Sequence, residues 1–121
     1  MASSGINLDV GGVTTGLTAL AGGAAPTASA NTLSSGINVV STVATAGDSM
    51  ILPAGIPQYG KVSVYNTSAA TLDIFPNTGG TINGGAANSE KGLATLTGAT
   101  FVQVGVTGLT WVADNLIAKQ S

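Results

Sequence analysis

Any acid–base or metal chemistry in this sequence would have to come from three lysines and five carboxylates: Lys61, Lys91, Lys119, Asp9, Asp48, Asp73, Glu90 and Asp114. The chain has no histidine, cysteine or arginine. A Ser-His-Asp triad, a Cys-His dyad and an ordinary zinc site are therefore out of reach. A glycosidase would need two of the five carboxylates facing one sugar. Asp48 and Asp114 stand at turn-like positions, where carboxylates act as caps. Asp73 alternates with Leu72 and Ile74, which places it on the solvent face of a strand. Lys61 and Ser63 share one strand face, yet nothing joins them into a Ser-Lys centre. These residues predict a protein that is not an enzyme and holds no cofactor or metal.

The glycine-rich run "NTGGTINGGAAN" at residues 77–88 invites a ligand-cradle reading. A phosphate loop needs a lysine after the glycines and a helix to follow, and neither is present. A calcium loop needs spaced acidic ligands, whereas this run supplies only the neutral amides Asn77, Asn83 and Asn88. The run reads instead as a corner: Pro76 ends a strand, Gly79, Gly80, Asn83, Gly84 and Gly85 take turn positions, and Ile82 points inward. Trp111 is the single tryptophan. An exposed one would make a sugar platform with Tyr59 or Tyr65; in a terminal strand it reads as core or interface filler.

The elements that position these residues follow from length and periodicity. At 121 residues the chain is long enough for one domain with a modest core. Charge is 7%, aromatic content 4%, hydrophobic content 44% and mean hydropathy +0.44. That balance argues against disorder. It also argues for a subunit that buries surface against copies of itself. A net charge of −2 without arginine cannot build a phosphate-tracking patch, so nucleic acid is excluded as a partner. No secretory n-region is readable, and no apolar run approaches the ~20 residues of a membrane helix. The expected setting is the cytosol of synthesis, with no membrane partner.

From residue 37 the apolar period is two. "INVVSTVAT", "SMILP", "GKVSVYN", "TLDIF", "GLATLTG", "TFVQVGV" and "LTWVAD" are short β-branched runs separated by Gly, Pro, Asn and Asp. The pattern predicts an all-β domain over 36–114, a small antiparallel β-sandwich or barrel of jelly-roll type. "AGD" at 46–48 predicts a tight turn. Gly98 in "LTGAT" and Gly108 in "VTGLT" predict hairpin connections. Residues 1–35 are Ala, Gly, Ser and Thr almost throughout and read as an extended arm laid on a neighbour. Leu8, Val10, Val13, Leu17 and Leu20 are its candidate contacts. Residues 115–121 form a tail, either frayed or a hook that docks through Leu116 and Ile117. The pentapeptide "SSGIN" occurs at Ser3–Asn7 and again at Ser34–Asn38.

The stretch "STVATAGDSMILP…GKVSVYNTSAATLDIFPNTGGTINGGAAN…GATFVQV…TWVAD" resembles a module of tailed-bacteriophage virion proteins. The resemblance covers about residues 38 to 113 and leaves the arm unmatched. Small free-standing members of that kind are capsid decoration (cement) proteins or head fibres. The resemblance implies an all-β homotrimer on the capsid exterior, with the major capsid protein as partner. The other function it implies is a host-surface module of a head or tail fibre, with Trp111, Tyr59 or Tyr65 on a glycan.

Overall fold

The computed structural model describes residues 12–21 and 32–113. They form nine strands in two sheets, with no helix among the described residues. In chain order the strands are β1 (Val13–Thr18), β2 (Gly36–Thr42), β3 (Ser49–Ile51), β4 (Lys61–Asn66), β5 (Leu72–Phe75), β6 (Thr81–Ile82), β7 (Lys91–Leu93), β8 (Thr97–Gln103) and β9 (Thr110–Ala113). The larger sheet runs β1-β2-β4-β8-β9-β6 and the smaller β3-β5-β7.

The chain winds between the sheets as a short β-solenoid. β2 lies in the large sheet, β3 in the small one, β4 in the large and β5 in the small. Each strand therefore meets, in parallel, the strand one coil earlier: β1 with β2, β2 with β4, and β3 with β5. Val13 pairs with Ile37, Gly36 with Val62 and Ser49 with Asp73, partners 24 or 26 residues apart. Between β1 and β2, Leu20 and Thr32 bridge to Ser49 and Ile51, so the first coil also touches the small sheet. Antiparallel strands then close the coil: β8 on β4, β9 on β8 and β7 on β5, while β6 returns parallel to β9.

All-β is thus the architecture, but the antiparallel sandwich or barrel expected above is not. The physical reason is that period two marks a half-buried strand without revealing its neighbour's direction. Each crossover travels through the opposite sheet, and that makes a parallel return possible without a helix. Burial follows the sequence pattern closely. β4 alternates Val62, Val64 and Asn66 inward against Lys61, Ser63 and Tyr65 outward. Both sheets contribute to one core, including Val40, Met50, Leu52, Val62, Val64, Leu72, Ile74, Phe101 and Trp111.

Polar side chains inside the coil are spent on the backbone at its corners. Asn38 is fully buried; its Nδ2 donates to the carbonyls of Ser34 (2.8 Å) and Ser63 (3.1 Å), and its Oδ1 accepts from the Ser34 N–H (3.0 Å). The second "SSGIN" is therefore a strand-start device, with Gly36 at φ 91°. The first copy lies outside the described residues. Asn66 does the same work at the β4–β5 crossover. Its Nδ2 donates to the carbonyls of Ala70 (2.8 Å) and Leu93 (2.9 Å), and its Oδ1 accepts from Ser68 N–H (3.0 Å) and Oγ (2.6 Å).

Some local expectations shift. Residues 12–21, read above as part of an arm, are built into the large sheet through β1. Gly98 is no hairpin tip but an interior residue of β8, paired with Tyr65. A Cβ there would stand 2.5 Å from the Tyr65 ring, so the missing side chain is where the tyrosine lies. The turn falls earlier, at Thr95 and Leu96, with Leu96 at φ 61°. The expected turns at Gly47 (φ 96°) and Gly108 (φ 82°) are present.

Candidate functional site: a neutral cleft and an apolar sheet face

The glycine-rich corner is architecture. β5 ends at Phe75, the chain turns through buried Pro76 and Asn77, and Ile82 is buried in β6. Gly79 and Gly84 take positive φ (85° and 75°), as does Asn83 (54°). Gly80 serves a different need: a Cβ would lie 2.9 Å from the Asn77 carbonyl oxygen. The three asparagines hold protein groups. Asn83 Oδ1 accepts from Ala113 N–H (2.8 Å) and Asn88 Oδ1 from Gly79 N–H (2.7 Å). Asn77 Oδ1 accepts from the Trp111 indole N–H (2.9 Å), and its Nδ2 donates to Gly108 O (3.0 Å). Trp111 is fully buried, which removes it as a sugar platform.

Of the described carboxylates, Asp73 and Glu90 lie close enough to repel each other, and Asp48 serves its own turn. Asp48 caps its turn, Oδ2 accepting from Thr45 N–H at 3.2 Å. Ser63 Oγ pairs with Thr100 Oγ1 (3.0 Å) and has no part in a Ser-Lys pair. Asp9, Asp114 and Lys119 lie outside the described residues. No group of three or more acidic, His or Cys side chains among the described residues could hold a metal ion. Among the described residues no helix is long and apolar enough to cross a membrane. Asp73 is half-buried rather than freely solvated. Burial, and then the negative charge of Glu90, push its carboxyl above its ordinary value.

Because the folded state holds this proton more tightly than the unfolded chain, the sign of the pH effect is fixed. The contribution of this carboxyl to stability is fully present below the unfolded pKa and is lost as pH rises through the raised folded pKa. Asp73→Asn is therefore expected to stabilise the protein at neutral pH and to flatten the acid limb of its stability curve. Urea midpoints across that range check it; an unchanged or lower midpoint at neutral pH would show that the charge is not penalised.

Two surfaces remain once these residues are placed. The first is the outer face of the large sheet. Across it the register lines up Val13 with Ile37, Val39 with Tyr65, and Lys61 with Val102 and Val112. Val13 is 64% exposed, Tyr65 46% and Val112 45%. Lys61 is the one charged residue in the six strands. Of the candidate contact residues, Val13 and Leu20 are exposed, while Leu17 packs partly buried against the core. Leu8, Val10, Leu116 and Ile117 lie outside the described residues.

The second surface is a cleft of about 750 Å³ between the β3–β4 crossover (52–60), the β8–β9 hairpin and the Asn77 corner. None of its lining residues is charged. Its walls are laced together by amides. Buried Gln103 donates from Nε2 to Ile56 O (3.2 Å), and its Oε1 accepts from Gly105 N–H (2.6 Å). Gln58 Nε2 reaches the Val104 carbonyl at 3.0 Å. Sequence reasoning missed this cleft. Its one legible signal was Gln103, an amide with the same parity as core residues Ala99 and Phe101.

No protein-family model matches the chain, and no curated protein matches it either.

Proposed function

We propose that this chain is a structural virion protein: a capsid decoration (cement) protein that binds the outside of a phage head as a homotrimer, with the major capsid protein as partner. The observation that carries the reading is the outer face of the large sheet. It is broad, apolar and hydroxyl-bearing, and its strands hold a single charge. Such a face is a surface for association, since large exposed apolar patches mark interaction sites. At ~25 cal/mol per Å² of apolar surface buried, repeated contacts of this kind reinforce a shell at many equivalent points. The sequence resemblance to virion modules points the same way, and the scattered carboxylates offer no competing chemistry.

The test must respect β1. Removing residues 1–30 would take a strand out of the large sheet, so the informative truncation stops at residue 11. On the cement reading, the full chain is a trimer by light scattering and co-sediments with capsids. Val112→Lys, on the exposed face, abolishes co-sedimentation while the circular dichroism spectrum is kept. A stable monomer without affinity for capsids would overturn the proposal.

A further inference from the structure

The cleft has a chemistry of its own, separate from the sheet face. We propose that it is a binding site for an uncharged carbohydrate. Ligand clefts of roughly 300–1,000 Å³ with pre-formed walls are the usual size for small ligands, and this one measures about 750 Å³. Its pre-formation is visible in the hydrogen bonds. Gln103 and Gln58 each tie the β3–β4 crossover to the β8–β9 hairpin, and Asn77 ties the corner to Gly108. Loops pinned in this way lose little entropy when a ligand arrives.

The lining then selects the ligand class. With no charged residue in the wall, phosphates, nucleotides, acidic sugars and metal ions find no counter-charge. Half-buried Ile56 and Leu109 and exposed Val106 present apolar surface, which suits the C–H face of a pyranose ring. Around them stand groups with hydrogen-bonding capacity still open among the described residues. The hydroxyls of Thr78 and Thr107 bond to no described group, and Gln58 uses its Nε2 but not its Oε1. A ring that is apolar on one side and carries hydroxyls at its edge matches that pairing. A peptide strand would instead need open backbone groups, and the hairpin's Val104 N–H is already given to Thr110 O (2.7 Å). Tyr59, next in the chain to Gln58, is 67% exposed and held at φ 71° with its N–H on the Gln103 carbonyl. A non-glycine residue in that region carries strain that the surrounding bonds must hold.

The experiment uses the full chain on an array of neutral and anionic glycans, followed by ¹H–¹⁵N mapping with the glycan that binds. The expected result is binding confined to neutral glycans, with shifts at residues 51–58, 77–78 and 104–109. Gln58→Ala removes an exposed side chain, with its Oε1 acceptor and its Nε2 bond to the Val104 carbonyl, so binding weakens about tenfold while the circular dichroism spectrum is kept. Binding of no neutral glycan, equal binding of anionic ones, or shifts mapping outside the cleft would each overturn the proposal. Capsid co-sedimentation is unaffected by Gln58→Ala if the cleft and the sheet face are separate, so this failure and that of the cement reading are told apart.

Discussion

Trp111→Ala is expected to destabilise the protein by about 4 kcal/mol, the loss typical of removing a fully buried large aromatic. Trp111 sits at 0% exposure in the short strand β9, between β8 and β6, and reaches into the core shared by both sheets. Its removal empties the largest fully buried side chain and also strips Asn77 Oδ1 of its indole donor. Trp111→Phe separates the two effects: most of the ring volume stays, the hydrogen bond goes, and the loss should fall to about 1–2 kcal/mol. Urea unfolding followed by far-ultraviolet circular dichroism measures both, since the variants lack the only tryptophan. Because Asn77 also anchors the hairpin at Gly108, Trp111→Phe should broaden or move the amide signals of residues 104–109. An alanine variant with an unchanged midpoint would show that β9 is not part of the cooperative core.

Asn66→Leu is expected to cost about 3 kcal/mol despite conserving the forked shape of the side chain. The usual gain from an apolar side chain in a core is outweighed, because asparagine satisfies several backbone groups at once. Without it the Leu93 carbonyl and the Ser68 N–H lose this amide, and the Ala70 carbonyl keeps the Ser68 hydroxyl. Each buried group left unpaired costs about 1–3 kcal/mol, and those nearer the surface recover water. The effect should also be local: hydrogen exchange ought to accelerate first at residues 66–72 and 93–95, where β4, β5 and β7 meet. Asn66→Asp makes a useful companion, since it keeps the acceptor to Ser68 and loses the donor to Ala70 and Leu93. A leucine variant as stable as the parent would mean that water replaces the amide.

The strands themselves were legible because period-two alternation follows directly from half burial. In β4 every odd position from Lys61 is partly or fully exposed and every even one buried. The turn glycines at 47, 79, 84 and 108 were readable for the same local reason, a backbone conformation that L-residues avoid. What could not be read was the direction of each pairing. Residues 37–45 and 60–66 look alike whether they meet in parallel or antiparallel, and the deciding fact, that residues 49–51 cross in the other sheet, is non-local. The misplaced hairpin at Gly98 has the same origin. Glycine there signals room for the Tyr65 ring on the neighbouring strand rather than a bend. The cleft was hidden for a different reason. It is made mostly of loop residues without charge or aromatic rings, types that carry no motif, and only the folded chain brings residues 51–58 up to 103–109.

The coil register sets how this protein can change length. Inserting one residue within a strand would turn every following side chain through to the wrong face. Inserting a few at a crossover would be absorbed as a longer loop. To grow its sheets, the chain would have to add a whole turn of 24 or 26 residues, the spacing that joins Val13 to Ile37 and Gly36 to Val62. The molecule's natural increment is therefore the turn, and relatives of different size should differ by multiples of it.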